Sequence, residues 1–252
     1  MQPTNEYLWR ISGESLALCY RAAPGYEARL TPRASLVLSG EAVADLNYII
    51  VDAGPAAETL LREYVLVAKK RKLPVLVLIT RTAVAGLKTA AAELCLQFLE
   101  DFPLMVYRPG NPSADTGDYQ VWRVEKEEDV RASNELAATA FGMEAAALNR
   151  AFGPNYIQGP GVDLFLAARN GRVISSVQTT RAGSLTGIWA MASAPDQQRK
   201  GAGRALLNYV ISYHCTRGAK FFYLEATPAG KPLYSRVGFQ TVDDSEVWLY
   251  QP

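Results

Sequence analysis

The sequence is poor in the features that mark secreted, metal-dependent or strongly charged proteins. Its three cysteines, Cys19, Cys95 and Cys215, are odd in number and far apart. That argues against a disulfide framework and a close metal cluster, and fits three buried thiols in a reducing cytoplasm. Twenty-six Lys and Arg against 25 Asp and Glu leave a net charge of +1, so no global field draws the chain onto nucleic acid or acidic lipid. The basic run at Lys69–Lys72 falls at a predicted helix C-terminus, where cations are favoured anyway, and has no interleaved aromatics. Apolar runs such as Val75 to Ile79 are far below the roughly 20 residues of a spanning helix. The opening MQPTNEYLWRIS lacks a basic region followed by an apolar stretch. The expectation is a cytoplasmic protein with no metal and with neither membrane nor nucleic acid as partner.

What remains is ordinary globular material, 49% hydrophobic and 20% charged. The clearest break is RPGNPSADTGD, Arg108 to Asp118, where turn-forming residues crowd together without periodicity. It divides the chain into residues 1–108, a linker at 109–118, and residues 119–252. In the later half, YQVWRV alternates like a strand, and EEDVRASNELAATAF and MEAAALNRAF read as helices. DLFLAAR and RVISSVQTTR are joined by Asn170-Gly171, the strongest short hairpin signal, and LTGIWAMAS makes a third antiparallel strand. From Arg204 onward Leu206, Leu207, Val210, Ile211 and His214 form the stripe of an amphipathic helix, with Gly218 as a cap. KFFYLEAT is a strand, PLYSRV a short helix, and FQTVDDSEVWLY is expected to form a closing strand pair around Asp243-Asp244. The order predicts an α+β fold with a mixed, mostly antiparallel sheet flanked by helices.

Laid side by side, the halves form a tandem pseudo-repeat. ADLNYIIVDAGP matches LTGIWAMASAP, LREYVLVAKKRKLPVLVLIT matches LLNYVISYHCTRGAKFFYLEAT, ELCLQF matches YSRVGF, and LMVY matches VWLY, all in order. Pro55 to Tyr64 is nine positions and Pro195 to Tyr209 is fourteen, so the first copy is five residues short at one loop. In this alignment Glu93 stands opposite Tyr234 and Gln97 opposite Gly238.

The loop missing from the first copy is QQRKGAGRALL, Gln197 to Leu207. A strand feeding through glycines into a helix N-terminus offers unpaired N–H groups and the positive end of the helix dipole to an anion. A Walker loop is excluded because Lys200 precedes Gly201 and no Ser or Thr follows Gly203. A dinucleotide fingerprint is excluded because its third glycine falls on Leu206 and the loop follows an antiparallel meander. Gln198-Arg199-Lys200-Gly201-Ala202-Gly203, with Pro195 ahead of it, reads Q-x-x-G-x-G and resembles the acyl-CoA pyrophosphate loop of the GNAT family of N-acetyltransferases. Downstream, Tyr234 to Phe239 reads Y-x-x-x-G-F, similar to that family's later motif. The resemblance covers about residues 119 to 250.

The resemblance implies that backbone N–H groups from Gln198 to Arg204, through Arg199, Lys200, Gly201, Ala202 and Gly203, hold the pyrophosphate of acetyl-CoA, the acyl donor. Arg199, Lys200 and Arg204 add charge at the rim. It implies that the strand edge at Met191, Ala192 and Ser193 splays from its neighbour to pair with pantetheine amides, and that Tyr234 protonates the departing thiolate. For the base, Glu225 stands at the end of a strand beside the expected gap. A structural carboxylate is the leading reading of it and a proton acceptor the second. His214 reads as a packed or capping histidine, and Asp196 and Asp163 have no better claim. Residues 1–108 read as a degenerate, truncated copy serving as scaffold. The expected activity is transfer of an acetyl group to a primary amine, small molecule or peptide, by direct attack; the rival is a catalytically silent acyl-CoA-binding sensor. The residues expected to contact the acceptor, around Phe141 to Ile157 and in the loops of the N-terminal half, carry no recognisable code, and a homodimer is allowed.

Overall fold

The structure is a computed structural model that describes residues 2–252. Two compact units divide it: one holds the chain up to Met105 with Glu225–Ala229 and Thr241–Pro252, and the other holds Val106–Leu224 with Gly230–Gln240.

The first unit opens with α1 (Asn5–Tyr20), started by Thr4, whose hydroxyl accepts from the Tyr7 N–H at 3.3 Å. Strands β1 (Glu27–Leu30), β2 (Ala34–Leu38) and β3 (Asn47–Val51) form an antiparallel meander. Helix α2 (Ala57–Arg71) then carries the chain over to β4 (Val75–Thr80), which is parallel to β3. The crossover works because α2 has one apolar stripe, Leu61, Tyr64, Val65 and Ala68, which packs on Leu36, Leu38, Ile49, Val51, Val75, Val77 and Ile79. Lys69, Lys70 and Arg71 fill its last turn and Lys72 ends it in the left-handed region at φ 55°. Helix α3 (Arg81–Glu93) and β5 (Gln97–Tyr107) follow.

In the second unit, β6 (Gln120–Arg123) leads to α4 (Glu127–Phe141), α5 (Ala145–Ala151) and the meander β7 (Val162–Arg169), β8 (Arg172–Ala182) and β9 (Leu185–Ser193). Asn170 and Gly171 turn the first hairpin with φ 52° and 76°, the paired positive angles that two-residue hairpins need. Helix α6 (Ala202–Cys215) crosses over to β10 (Phe221–Glu225), parallel to β9. The sheet order in this unit is β10-β9-β8-β7-β6. Helix α7 (Lys231–Val237) ends at Gly238, φ 116°, and β11 (Gln240–Tyr250) closes the chain.

β11 is one strand of eleven residues, not a pair turning at Asp243-Asp244. Asp243 is held in line because its Oδ2 accepts from Trp9 Nε1 at 2.9 Å. The strand lies in the first unit, antiparallel to β4 in six register pairs from Ser245↔Thr80 to Tyr250↔Val75. Conversely, the end of β5 lies in the second unit, where Tyr107 packs on Phe239 at 5.3 Å. The first unit therefore keeps most of β5 and also takes β11, with only Val106 and Tyr107 of β5 in the second, whereas the sequence division into 1–108, 109–118 and 119–252 runs straight along the chain. Among the described residues no helix is long and apolar enough to cross a membrane.

The repeat is present in the topology: β2-β3-α2-β4-α3-β5 and β8-β9-α6-β10-α7-β11 follow one order, each with one antiparallel and one parallel pairing. The letter alignment is displaced, however, at the end of α3. There Cys95 takes the left-handed angle that Gly238 takes after α7. Leu96 N donates to Ala91 O just as Phe239 N donates to Tyr234 O, so the counterpart of Tyr234 is Ala91, not Glu93, and that of Gly238 is Cys95, not Gln97.

Candidate active site

Within the second unit the two parallel strands part early. β9 pairs with β10 only at Leu185–Gly187, against Phe221–Tyr223, while β9 itself runs on to Ser193. The backbone edge of the intervening residues, which include Met191, Ala192 and Ser193, thus has no partner in β10. In the first unit β3 pairs with β4 up to its last residue, Val51↔Ile79, so no such edge is left.

A bulge sharpens the parting. Ser176 faces Ala192 but Gln178 faces Trp189, so β9 carries one extra residue there, and Ala190 adopts φ 45°. A non-glycine residue in that region is held by its surroundings rather than by preference. Nothing in the sequence marks this bulge, because the residue in the left-handed position is alanine. Ala192 is then anchored from β8, where Ser175 Oγ donates to the Ala192 carbonyl at 2.7 Å and lies 2.9 Å from Ser193 Oγ.

From β9 the chain passes through a single 3-10 turn, Pro195–Gln197, into the glycine loop and α6. Arg199 and Gly201 have φ 61° and 99°, alternating the backbone in the manner of an anion nest. The first bond into the helix is Ala205 N to Gly201 O, at 3.0 Å. The N–H groups of Ala202, Gly203 and Arg204 therefore stand ahead of the intrahelical ladder. Tyr119 pins the loop from outside by donating to the Lys200 carbonyl at 2.6 Å. Gln198, Arg199, Lys200 and Arg204 are exposed, and none of the three cations has an ion-pair partner among the described residues. Asp196, by contrast, is taken by both guanidinium nitrogens of Arg172 at 2.7 and 3.0 Å, which hold its carboxyl down at about 2. It serves as a strut for the loop, not as a base.

Gly203 lies on the inner side of this turn. A Cβ there would stand 3.1 Å from both Met191 Cε and Leu233 Cδ2, which ties the helix start to the β9 edge and to α7. Tyr234, the next residue of α7, stacks edge-on against Phe239 at 5.8 Å. Burial raises its phenol above the ordinary tyrosine range, so it stays protonated at neutral pH and is a donor, not a base.

The equivalent point in the first unit is closed. Asp52, just after β3, accepts from Ala53 N, Thr80 Oγ1, Thr82 Oγ1 and Arg33 Nη1, all between 2.8 and 3.1 Å. Burial opposes its ionisation, but those four donors together hold the carboxyl below its usual range. A fixed carboxylate stands where the second unit has free N–H groups and unpaired cations.

Three further titratable groups remain. His214 is fully buried among Phe165, Tyr213 and Phe222, with Nε2 2.9 Å from Thr179 Oγ1 and Nδ1 without a partner among the described residues. Burial pushes it down to about 4, so it is neutral and structural. The unfolded chain takes up a proton near 6.5, so this contribution is complete above that pH and is lost as pH falls towards 4, a loss on the order of 3 kcal/mol. The urea midpoint is expected to drop across that window and His214→Gln to flatten the drop; an unchanged slope in the variant refutes the assignment. Asp163, also buried, is paired with Arg123 at 2.6 Å and Arg181 at 3.5 Å. Glu225, at the end of β10, belongs to the first unit, where its Oε1 is buried and without a hydrogen-bond partner among the described residues.

Residues 160–241, from the start of the meander to the beginning of β11, match the model of the acetyltransferase (GNAT) domain. No curated protein matches the chain. Among solved structures, a GCN5-related N-acetyltransferase from Kribbella flavida is similar over 98% of this chain and 96% of its own, with a TM-score of 0.72 at 16% identity. One from Sphaerobacter thermophilus is similar over 99% and 95%, with a TM-score of 0.63 at 15% identity. A tandem GNAT protein from the clavulanic acid biosynthesis pathway is similar over 91% and 84%, with a TM-score of 0.58 at 13% identity. These identities speak for the fold over nearly the whole chain.

Proposed function

We propose, from the premise that the second unit belongs to the GNAT family of acetyltransferases, that this chain is an acyl-CoA-dependent N-acyltransferase acting on a primary amine. The observation that carries the reading is the early parting of β9 from β10 beside an α6 N-terminus whose cations are unpaired. The first unit has the same strand–helix–strand order but no parting, and a carboxylate at its loop. The fold can thus be built without these features, which points to a ligand as their reason.

The residues present suit acetyl-CoA. The N–H groups from Gln198 to Arg204 are the donors for its pyrophosphate, with Arg199, Lys200 and Arg204 at the rim. The β9 edge at Met191, Ala192 and Ser193 offers main-chain partners to the pantetheine amides. Bound acetyl-CoA supplies an activated acyl carbon with a thiol as leaving group. Tyr234 would be the proton donor to the leaving sulfur as the C–S bond breaks, and the amine whose lone pair forms the C–N bond would release its proton to solvent. The first unit, with its closed loop and Ala91 in place of the tyrosine, is a scaffold without a second donor site. The setting we infer is the cytoplasm, where Cys19, Cys95 and Cys215 persist as free thiols; only Cys19 is buried as expected, Cys215 being half-buried and Cys95, in the left-handed turn after α3, exposed.

A panel of small amines and lysine peptides, incubated with acetyl-CoA and followed by free thiol release, tests this. Turnover of at least one amine is expected. Saturable acetyl-CoA binding with no turnover across the panel would instead establish a silent sensor.

A further inference from the structure

The sheet of the second unit has two unlike faces. On one, Thr179 of β8 meets His214 of α6, and Asp163 of β7 is paired with Arg123 and Arg181. Side chains alternate along a strand, so Ser176, Gln178 and Thr180 of β8 stand on the other face. Trp189 of β9 lies opposite Gln178 there, Gly187 lies opposite Thr180, and Tyr223 of β10 lies beyond Gly187. None of these six residues is charged. Leu164 of β7, on the other flank of Gln178, packs with Val130 of α4, which places that helix on the same side.

Around Gly187 the packing is close. A Cβ there would stand 2.6 Å from Trp189 Nε1, 2.7 Å from Thr180 Oγ1 and 2.9 Å from the Tyr223 hydroxyl, so the indole can lie down on β9 only over a glycine. Its N–H donates to Thr180 Oγ1 at 2.8 Å, and its ring meets Tyr223 edge-on at 5.7 Å. Trp189 is thereby half-buried and fixed, two residues past the point where β9 leaves β10 and one before the bulge at Ala190. An indole held in this way beside the parting is a platform for a planar group.

Gln178 is only 7% exposed, yet its side-chain amide has no hydrogen-bond partner among the described residues. The amide atoms are not sealed from solvent either. A buried amide that makes no hydrogen bond is costly, and its presence calls for a group from outside the chain. β9 stands between β8 and β10, so this amide is set apart from the β9 edge that the pantetheine would take.

We propose that Gln178 and Trp189 form an acceptor subsite for a carboxamide, which lies on the indole and exchanges two hydrogen bonds with the Gln178 amide. A carboxamide is planar like the indole, neutral like its surroundings, and offers one N–H and one carbonyl to a side chain that offers the same two. A carboxylate only accepts and would enter a face without a cation, and an alkyl group would leave the amide unpaired. The proposal rests on the acyltransfer reading above and narrows the acceptor to a primary amine borne beside a carboxamide, as in an amino-acid amide or a peptide. Both residues set specificity, and neither exchanges a proton with the amine.

The experiment is a ¹⁵N NMR titration of the full chain saturated with CoA, which fills the donor site without turnover. The Gln178 amide and Trp189 indole signals are identified by their loss in Gln178→Met and Trp189→Phe. The probes are glycinamide and β-alaninamide, set against glycine, β-alanine and propylamine. The two carboxamides are expected to shift both signals saturably and to bind roughly tenfold or more tightly than the other three, an advantage that Gln178→Met removes. The comparison of probes on the parent protein stands even where a variant loses its fold. A Gln178 signal that moves with CoA and with no probe overturns the proposal by assigning the amide to the cofactor. Equal binding of glycinamide and propylamine overturns it by leaving the amide to water. Carboxamide-selective binding with no acyl transfer from acetyl-CoA to any probe counts instead against the acyltransfer reading. Transfer to glycinamide and propylamine with the same kcat/KM, unchanged in Gln178→Met, leaves that reading standing and overturns this one.

Discussion

Gly203→Glu is expected to abolish the proposed binding of acetyl-CoA while leaving the protein folded. Gly203 is the second residue of α6, where an added carboxylate is favourable to the helix dipole, so the helix itself is not weakened. The new Cβ meets the flexible ends of Met191 and Leu233 at 3.1 Å, and these need yield only a few tenths of an ångström. For the ligand the change is severe. The carboxylate competes for the same N–H groups and sets a negative charge against the pyrophosphate. Loss of two charge-assisted hydrogen bonds at about 1.5–3 kcal/mol each corresponds to at least a 100-fold rise in Kd. Isothermal titration with acetyl-CoA, with a thermal melt in parallel, checks both halves. A Kd within a few-fold of the parent protein would show that the glycine serves only the packing of α6 on α7.

The contrast between the two copies explains how much of this site could be read from the sequence. Local chemistry was legible. The hairpin at Asn170-Gly171, the start of α6 after Gly201 and its stripe to His214 depend on residues within a few positions of one another, and the structure has them. The loop absent from the first copy was legible for the same reason. The bulge at Ala190 was not, since its left-handed residue bears a side chain and is held there by β8. The place of β11 in the first unit was hidden because β11 pairs with β4, more than 150 residues earlier, and an alternating strand carries no record of its partner. Helix α1 and strands β1 and β2 precede Ala44, where the matching letters of the two halves begin, so the repeat gave no sign of them although Thr4 and Glu6 mark a helix start.

Tyr234→Phe is expected to lower kcat on the order of 100-fold, the lower end of what a positioned proton donor contributes, with the KM for acetyl-CoA unchanged. The substitution keeps the ring, and with it the edge-on contact to Phe239 at 5.8 Å that fixes α7, so the thermal midpoint should hold. What it removes is one O–H whose proton is retained through neutral pH by burial. If Tyr234 only fills space beneath α7, the phenylalanine variant keeps full activity and Tyr234→Ala loses stability instead. If it protonates the sulfur, Tyr234→Phe is stable and slow. The parent protein should also show a solvent deuterium isotope effect on kcat that comes from proton transfer to the leaving thiol. In the variant that transfer passes to water and governs the whole rate. The two copies supply an internal comparison, because the first, whose matching helix position is Ala91, folds without any hydroxyl there. The tyrosine is therefore not a requirement of the α7 turn, and its effect on kcat, separated from KM and from stability, measures the chemistry alone.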